Sequence, residues 1–345
     1  MPSTDQLVDL AAVARWLAAQ DLPDGPFTDV RRIGGGTQNV VLRLRWAGRD
    51  VVLRRPPEHP RPSSNAALRR EVQVLAALAE TDVPHPALVA ACDDEDVLGG
   101  VVFYLMEAVE GTNPGEPLGP PYATDAAARH AAALDVAAAL ARLGAVDHRA
   151  VGLDGVGRPE GFLERQVPRW LAHLESYRQV PDYPGPRLPH VADVASWLDE
   201  HRPATYRPGI VHGDYHLNNV LLSPTEPRVA AIVDWEMCTI GDPLLDLGWL
   251  LVTWPGHGVA LTGEPFAAAG GLPGPDELVA RYAAGSDRDL RAVDWYTALA
   301  GFKLGIVLEG THARMHAGQA DEATGLRLHR AALALLERAA AIADR

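Results

Sequence analysis

An α+β fold is predicted, rich in strands over the first third of the chain and mainly helical beyond it. From Val40 to Trp46, apolar and basic residues alternate with the two-residue period of strands, and after a turn at Ala47-Gly48-Arg49-Asp50 a second strand resumes at Val51-Val52-Leu53-Arg54. From Thr124 onward the apolar period becomes that of helices, interrupted only by a short β segment, Val220-Leu221-Leu222 and Ala231-Ile232-Val233. A length of 345 residues, 47% of them hydrophobic, suffices for one large core or two modest ones.

Each element follows in order. Leu7, Leu10, Val13 and Leu17 recur at helical spacing between Asp5 and Gln20, with Thr4 placed to cap that helix. The hairpin comes next, preceded by Gly34-Gly35-Gly36 and ended by Pro56, Pro57, Pro60 and Pro62. Ser64 to Ala79 carries Leu68, Val72, Leu75 and Leu78 on one helical face, which Glu71 shares. Apolar runs at Ala87 to Ala91 and Val101 to Met106 flank the acidic turn Asp93-Asp94-Glu95-Asp96 and read as two further strands. Helices are expected over Asp125 to Leu143, Gly161 to Tyr177, Val191 to Glu200 and after Pro243, then over Ala292 to Ala317 and Ala320 to Ala343. The joint between the two kinds of structure is expected near Glu107 to Gly111, dividing the chain into 1–108 and 109–345 with a cleft between them.

Composition narrows the function. Thirty-one basic against 45 acidic residues give a net charge of −14, which disfavours nucleic acid or an anionic membrane as partner. No segment runs apolar long enough to cross a bilayer, and Met1-Pro2-Ser3-Thr4-Asp5 lacks the basic flank of a leader, so a cytoplasmic enzyme is expected. Cys92 and Cys238, without a second thiol or paired histidines at ligand spacing, are expected to pack as small apolar groups. Lys303 is the sole lysine.

Chemistry concentrates in Val211-His212-Gly213-Asp214-Tyr215-His216-Leu217-Asn218-Asn219, followed by a strand, a turn and a second strand ending at Asp234. Transfer of a phosphoryl group to an alcohol needs one carboxylate beside the acceptor hydroxyl, while an amide oxygen and a second carboxylate hold magnesium against the phosphates. Asp214 takes the first role, and Asn219 and Asp234 the metal-binding ones. The acceptor is then a hydroxyl group of a small molecule.

These motifs resemble the aminoglycoside phosphotransferase-like kinases, whose fold is related to that of protein kinases. His212-Gly213-Asp214 through Asn219 is similar to their catalytic loop, and Asp234-Trp235-Glu236 to the metal motif. In Gly241-Asp242-Pro243-Leu244-Leu245-Asp246-Leu247, Asp246 is similar to the aspartate that braces the loop, with His212 as a second support. The resemblance implies a bilobal kinase-like fold, a β-rich N-terminal lobe binding ATP or GTP and a helical C-terminal lobe carrying the acceptor pocket. It makes Gly34, Gly35 and Gly36 the phosphate-covering loop, and Glu107 and Val109 the hinge whose backbone reads the base. Where the family uses a lysine to grip the phosphates, this chain has Arg54, with Glu71 as its partner; Arg55 is the competing candidate, which strand alternation turns to the other face.

The likeness is nearest to the kinase-like domain of acyl-CoA dehydrogenase members ten and eleven and its stand-alone bacterial relatives, through Val51 to Pro57, Thr81 to Pro84, Asp234 to Gly241 and Phe302 to Arg314. It implies a hydroxylated acyl-CoA as acceptor. An aminoglycoside or macrolide kinase is the alternative within the enzyme class, and a nucleotide-binding pseudokinase, suggested by Arg54, is the alternative outside it. His312, Arg314 and His316 read as a solvated helix end, where cations are favoured by the helix dipole.

Overall fold

The computed structural model describes residues 7–23, 25–33, 39–256 and 261–345. It divides into two compact units, Met1–Glu110 with Ala230–Cys238, and Gly111–Val229 with Thr239–Arg345.

In the first unit, helix α1 (Leu10–Ala18) precedes strands β1 (Phe27–Arg32), β2 (Val40–Trp46) and β3 (Arg49–Arg55); then come helix α2 (Ser64–Leu78) and strands β4 (Leu88–Cys92) and β5 (Phe103–Glu107). The strands form one antiparallel sheet in the order β1-β2-β3-β5-β4. Alternation decides which side chain meets which helix. Leu42, Leu44, Val51, Leu53, Phe103 and Leu105 bury one face of the sheet together with Leu7, Val13 and Leu17 of the leading segment. Replacing Leu42 or Leu53 with Ala would cost about 2–5 kcal/mol. Arg54 and Tyr104, paired across β3 and β5, take the alternate positions and meet Glu71 of α2. The later segment belongs here because Ile232 donates its amide to the Pro84 carbonyl (2.8 Å) and Arg70 donates to the Glu236 carbonyl (2.9 Å).

The second unit is helical: α3 (Ala126–Ala145), α4 (Gln166–Ser176), α5 (Val191–Glu200), α6 (Leu244–Val252), α7 (Glu264–Ala268), α8 (Pro275–Ala283), α9 (Val293–His316) and α10 (Glu322–Ala343). Short strands interrupt them: β6 (Gly209–Val211), β7 (Val220–Leu222), β8 (Val229–Ile232), which carries the chain back into the first unit, and β9 (Thr239–Gly241), antiparallel to β6. Gly248 sets the spacing of α6 on α9, since a Cβ there would lie 2.4 Å from the Tyr296 carbonyl oxygen. That contact brings Asp246 and Trp249 of α6 close to Lys303 of α9. Among the described residues no helix is long and apolar enough to cross a membrane, and the two cysteines are buried and form no disulfide.

The α+β expectation holds, with local corrections. Strand β1 is unexpected because its pairing slips between Thr28 and Arg31, and Asp29, at φ 51°, breaks the alternation a strand would show. Strands β6 and β9 hold three residues each, all but Thr239 buried, and are too short to show a period. The helix expected from Gly161 begins at Gln166, because Gly161 adopts φ 61° and the intervening residues form turns.

Candidate active site

The first unit gathers its carboxylates around one cation. Arg54 is 7% exposed, and its Nε lies 3.1 Å from Glu71 Oε2 while its Nη2 donates to Asp234 Oδ1 (2.7 Å) and Glu236 Oε2 (3.2 Å). Tyr104 donates its hydroxyl to Glu71 (2.8 Å), and Asn39 donates to Glu236 (3.0 Å). Burial pushes the Glu71 carboxyl up to about 7, against the pull of Arg54, whereas the Arg54 guanidinium stays a cation because Glu71 and Asp234 outweigh its own desolvation. Arg55 turns away and donates to the carbonyls of Leu7, Pro56 and Pro57. Asp234 adopts φ 68°, a left-handed conformation, followed by a 3-10 turn over Trp235–Met237. Strain at a non-glycine residue is common where a side chain must be aimed. Its second carboxylate oxygen, Oδ2, accepts no hydrogen bond among the described residues.

At the end of β5, Glu107 donates its amide to Ala87 (2.8 Å) and Ala108 donates to Asp50 (3.3 Å), while the Val109 amide has no acceptor among the described residues. Gly34, Gly35 and Gly36 lie outside the described residues.

In the second unit the loop after β6 is held by its backbone. Asp246 accepts the amides of His212 (2.6 Å) and Gly213 (2.9 Å), with Gly213 at φ 90°. Asp214 follows, its amide donating to His212 Nδ1 (3.3 Å). Trp249 donates its indole N–H to Asp214 Oδ1 (3.1 Å), and His216 Nε2 lies 3.3 Å from the same oxygen. Asn219 donates through Nδ2 to the Asp214 carbonyl (2.9 Å) and Oδ2 (3.1 Å), so its own amide oxygen remains without a hydrogen bond among the described residues. Burial alone would raise the Asp214 pKa, but the hydrogen bond and charge of His216, with His212 and Lys303 behind it, hold the carboxyl well below the usual range. Its side chain is 30% exposed, open enough to meet another molecule.

Magnesium prefers neutral and anionic oxygen donors and keeps several waters, and each unit offers an uncommitted oxygen of that kind, Asp234 Oδ2 in the first and the Asn219 amide oxygen in the second.

Glu236, Tyr104, His216, Trp249 and Lys303 were not singled out for the site by their pattern. His216 lies two residues from Asp214, and Lys303 stands out as the sole lysine, but neither signal says where the side chain goes. Further along α9, the expected solvated helix end holds for Arg314, which is exposed, and is corrected for His312. Glu309 is fully buried and takes Tyr183 (2.5 Å), His312 (3.0 Å) and His329 (2.6 Å) as partners, so His312 turns inward to satisfy a carboxylate that burial would otherwise make costly.

A β-rich unit with a buried cation–glutamate pair and a helical unit with an Asp–Asn loop define the kinase-like phosphotransferase class. Residues 29–283 match the family model described as "Phosphotransferase enzyme family", and the chain belongs to that family. It is 30% identical over 296 residues to acyl-CoA dehydrogenase family member 10 of Mus musculus, covering 84% of this chain and 27% of that protein, so it spans about a quarter of that relative's length. A solved protein of Ralstonia eutropha JMP134, provisionally described as an aminoglycoside phosphotransferase, superposes with a TM-score of 0.80 at 30% identity, covering 98% of each chain. A thermostable mutant of aminoglycoside phosphotransferase APH(4)-Ia, solved as a ternary complex with AMP-PNP and hygromycin B, shares the fold, with a TM-score of 0.61 at 17% identity over 94% of this chain and 98% of that one.

Proposed function

We propose that the protein transfers a phosphoryl group from magnesium-bound ATP or GTP to a hydroxyl group of a small molecule, with a hydroxyacyl-CoA as the first candidate acceptor. The observation that carries this reading is the Asn219 side chain, whose nitrogen is committed to Asp214 and whose oxygen is left for a cation. Arg54, steadied by Glu71, binds the nucleotide phosphates; Gly34, Gly35 and Gly36 supply backbone amides to them, and the backbone of Glu107 and Val109 reads the base. Asn219 and Asp234 are the metal ligands. Magnesium bound there would neutralise charge on the phosphates.

Asp214 receives the acceptor hydroxyl. A carboxylate held so strongly in its charged form is a weak proton acceptor, so it orients the alcohol first and takes the proton late, as bond formation to phosphorus acidifies it. Positioning and charge neutralisation supply most of the rate. The acyl-CoA assignment leans on the kinship with acyl-CoA dehydrogenase family member 10, which the chain matches over 84% of its own length.

The test is a screen of hydroxyacyl-CoAs, aminoglycosides, macrolides and sugars with γ-labelled ATP and GTP. Label should move to a hydroxyacyl-CoA and cease to move in Asp234→Ala. Transfer to an antibiotic instead would replace the acceptor but keep the chemistry, whereas nucleotide binding without transfer to any acceptor would leave a pseudokinase.

A further inference from the structure

We propose that Lys303 is a positioning residue for this reaction, fixing the backbone around Gly213 and, through Trp249, the orientation of the Asp214 carboxylate; the proposal rests on the reading of Asp214 given above. The sole lysine of the chain sits in the middle of α9 with 6% of its surface exposed. Its Nζ donates to the Gly213 carbonyl (3.2 Å) and lies 4.4 Å from the centre of the Trp249 ring and 5.5 Å from that of Trp170. An ammonium has three N–H donors, yet only one meets an oxygen among the described residues. The other contacts are aromatic faces, which hold the cation by charge and not by hydrogen bonds.

Two consequences follow for the loop. The Gly213 amide is fixed by Asp246 (2.9 Å) and its carbonyl by Lys303, so both peptide groups flanking a residue at φ 90° are clamped. A cation over the indole also draws electron density from the ring, strengthening the N–H that Trp249 donates to Asp214 Oδ1 (3.1 Å). Both effects end on the residue that meets the acceptor.

A stability role fits these observations less well. Burial lowers the Lys303 pKa to about 8, with Asp246 and Asp214 resisting the fall, so the group stays cationic in neutral water at the expense of its hydration. Lys303 has no carboxylate oxygen within 4.0 Å among the described residues, so replacing it with an apolar group of like size strands no ion-pair partner. Arginine, used everywhere else in the chain for positive charge, is a longer planar fork that does not present one compact donor between two indoles.

The experiment uses the full chain with Lys303→Met and Lys303→Arg. Hydrogen exchange followed by mass spectrometry should show residues 211–220 exchanging about tenfold faster or more in Lys303→Met, with helix α3 and the thermal midpoint unchanged or better protected. With γ-labelled ATP and the acceptor from the screen, or water if none is found, kcat should fall about tenfold to a hundredfold at unchanged nucleotide KM, and Lys303→Arg should recover part of the loss. The loss should also vanish in an Asp214→Asn background, because both changes act through one carboxylate. Unchanged loop exchange in Lys303→Met overturns the proposal, as does faster exchange throughout the helical unit or a failure of both variants to fold. If Asp214→Asn alone keeps full activity, the reading of Asp214 fails while loop exchange still reports whether Lys303 orders the backbone.

Discussion

Arg54 in the β-rich unit and Lys303 in the helical unit are both buried cations near carboxylates, but they engage them differently. Arg54 contacts Glu71, Asp234 and Glu236 directly, within 3.2 Å. Lys303 touches a carbonyl oxygen and two indole faces, and acts on Asp214 through Trp249. A guanidinium can gather several acids at once because its donors point in a fixed fork, whereas an ammonium held off by aromatic rings contributes a field without capturing the carboxylate. The β-rich unit therefore has its carboxylates bound directly to a cation, whereas the helical unit leaves Asp214 hydrogen-bonded to an indole, with its side chain 30% exposed.

Substitutions sharpen or break that contrast. The largest effect should come from Asp214→Asn, which is expected to lower single-turnover transfer by about two to four orders of magnitude. Nucleotide affinity, measured by equilibrium titration, should hold, since Asp214 does not touch the phosphates in this scheme. Arg54→Met should weaken nucleotide binding and also destabilise the chain by about 3–5 kcal/mol, because it leaves Glu71 buried without its cation. Urea unfolding measures that loss, and an unaltered midpoint would show that Arg54 is not the counter-charge that keeps its unit folded.

The pH response tests the other half. Burial raises the Asp246 pKa from 3.8 to about 7 despite the two amides it accepts, so the folded chain holds this proton more tightly than the unfolded one. Its stabilising contribution is complete below pH 3.8 and is lost as pH rises to 7, so Asp246→Asn should show a flatter dependence of thermal midpoint on pH across that window than the unaltered chain. Equal slopes would mean that Asp246 is ionised throughout. The smallest effect is expected from Tyr104→Phe, which removes one hydrogen bond to Glu71 and should cost about 1 kcal/mol in urea unfolding.

Much of the fold was legible because its signals are local. Strand β2 alternates cleanly, α2 and α10 show apolar faces, and α9, buried on all sides from Trp295 to Ile306, is legible as a long proline-free run. Strand β1 was not legible, since a pairing slip and a left-handed Asp29 erase its alternation. Strands β6 and β9 escaped notice because three residues are too few for any period.

By itself the sequence determined which side chains could bear the chemistry, since Asp214, Asn219 and Asp234 lie in one run of 21 positions whose order and spacing are covalent facts. It also determined that Arg54 and Arg55 take opposite faces of their strand, because alternation along a strand follows from backbone geometry. Only the tertiary structure decided that Trp249 and Lys303, 35 and 89 residues beyond Asp214, meet its loop, and that His312 turns to Glu309 instead of to water. Such contacts arise from helix packing, here the close approach of α6 to α9 at Gly248, and no local pattern encodes which distant side chain will fill the space that packing leaves.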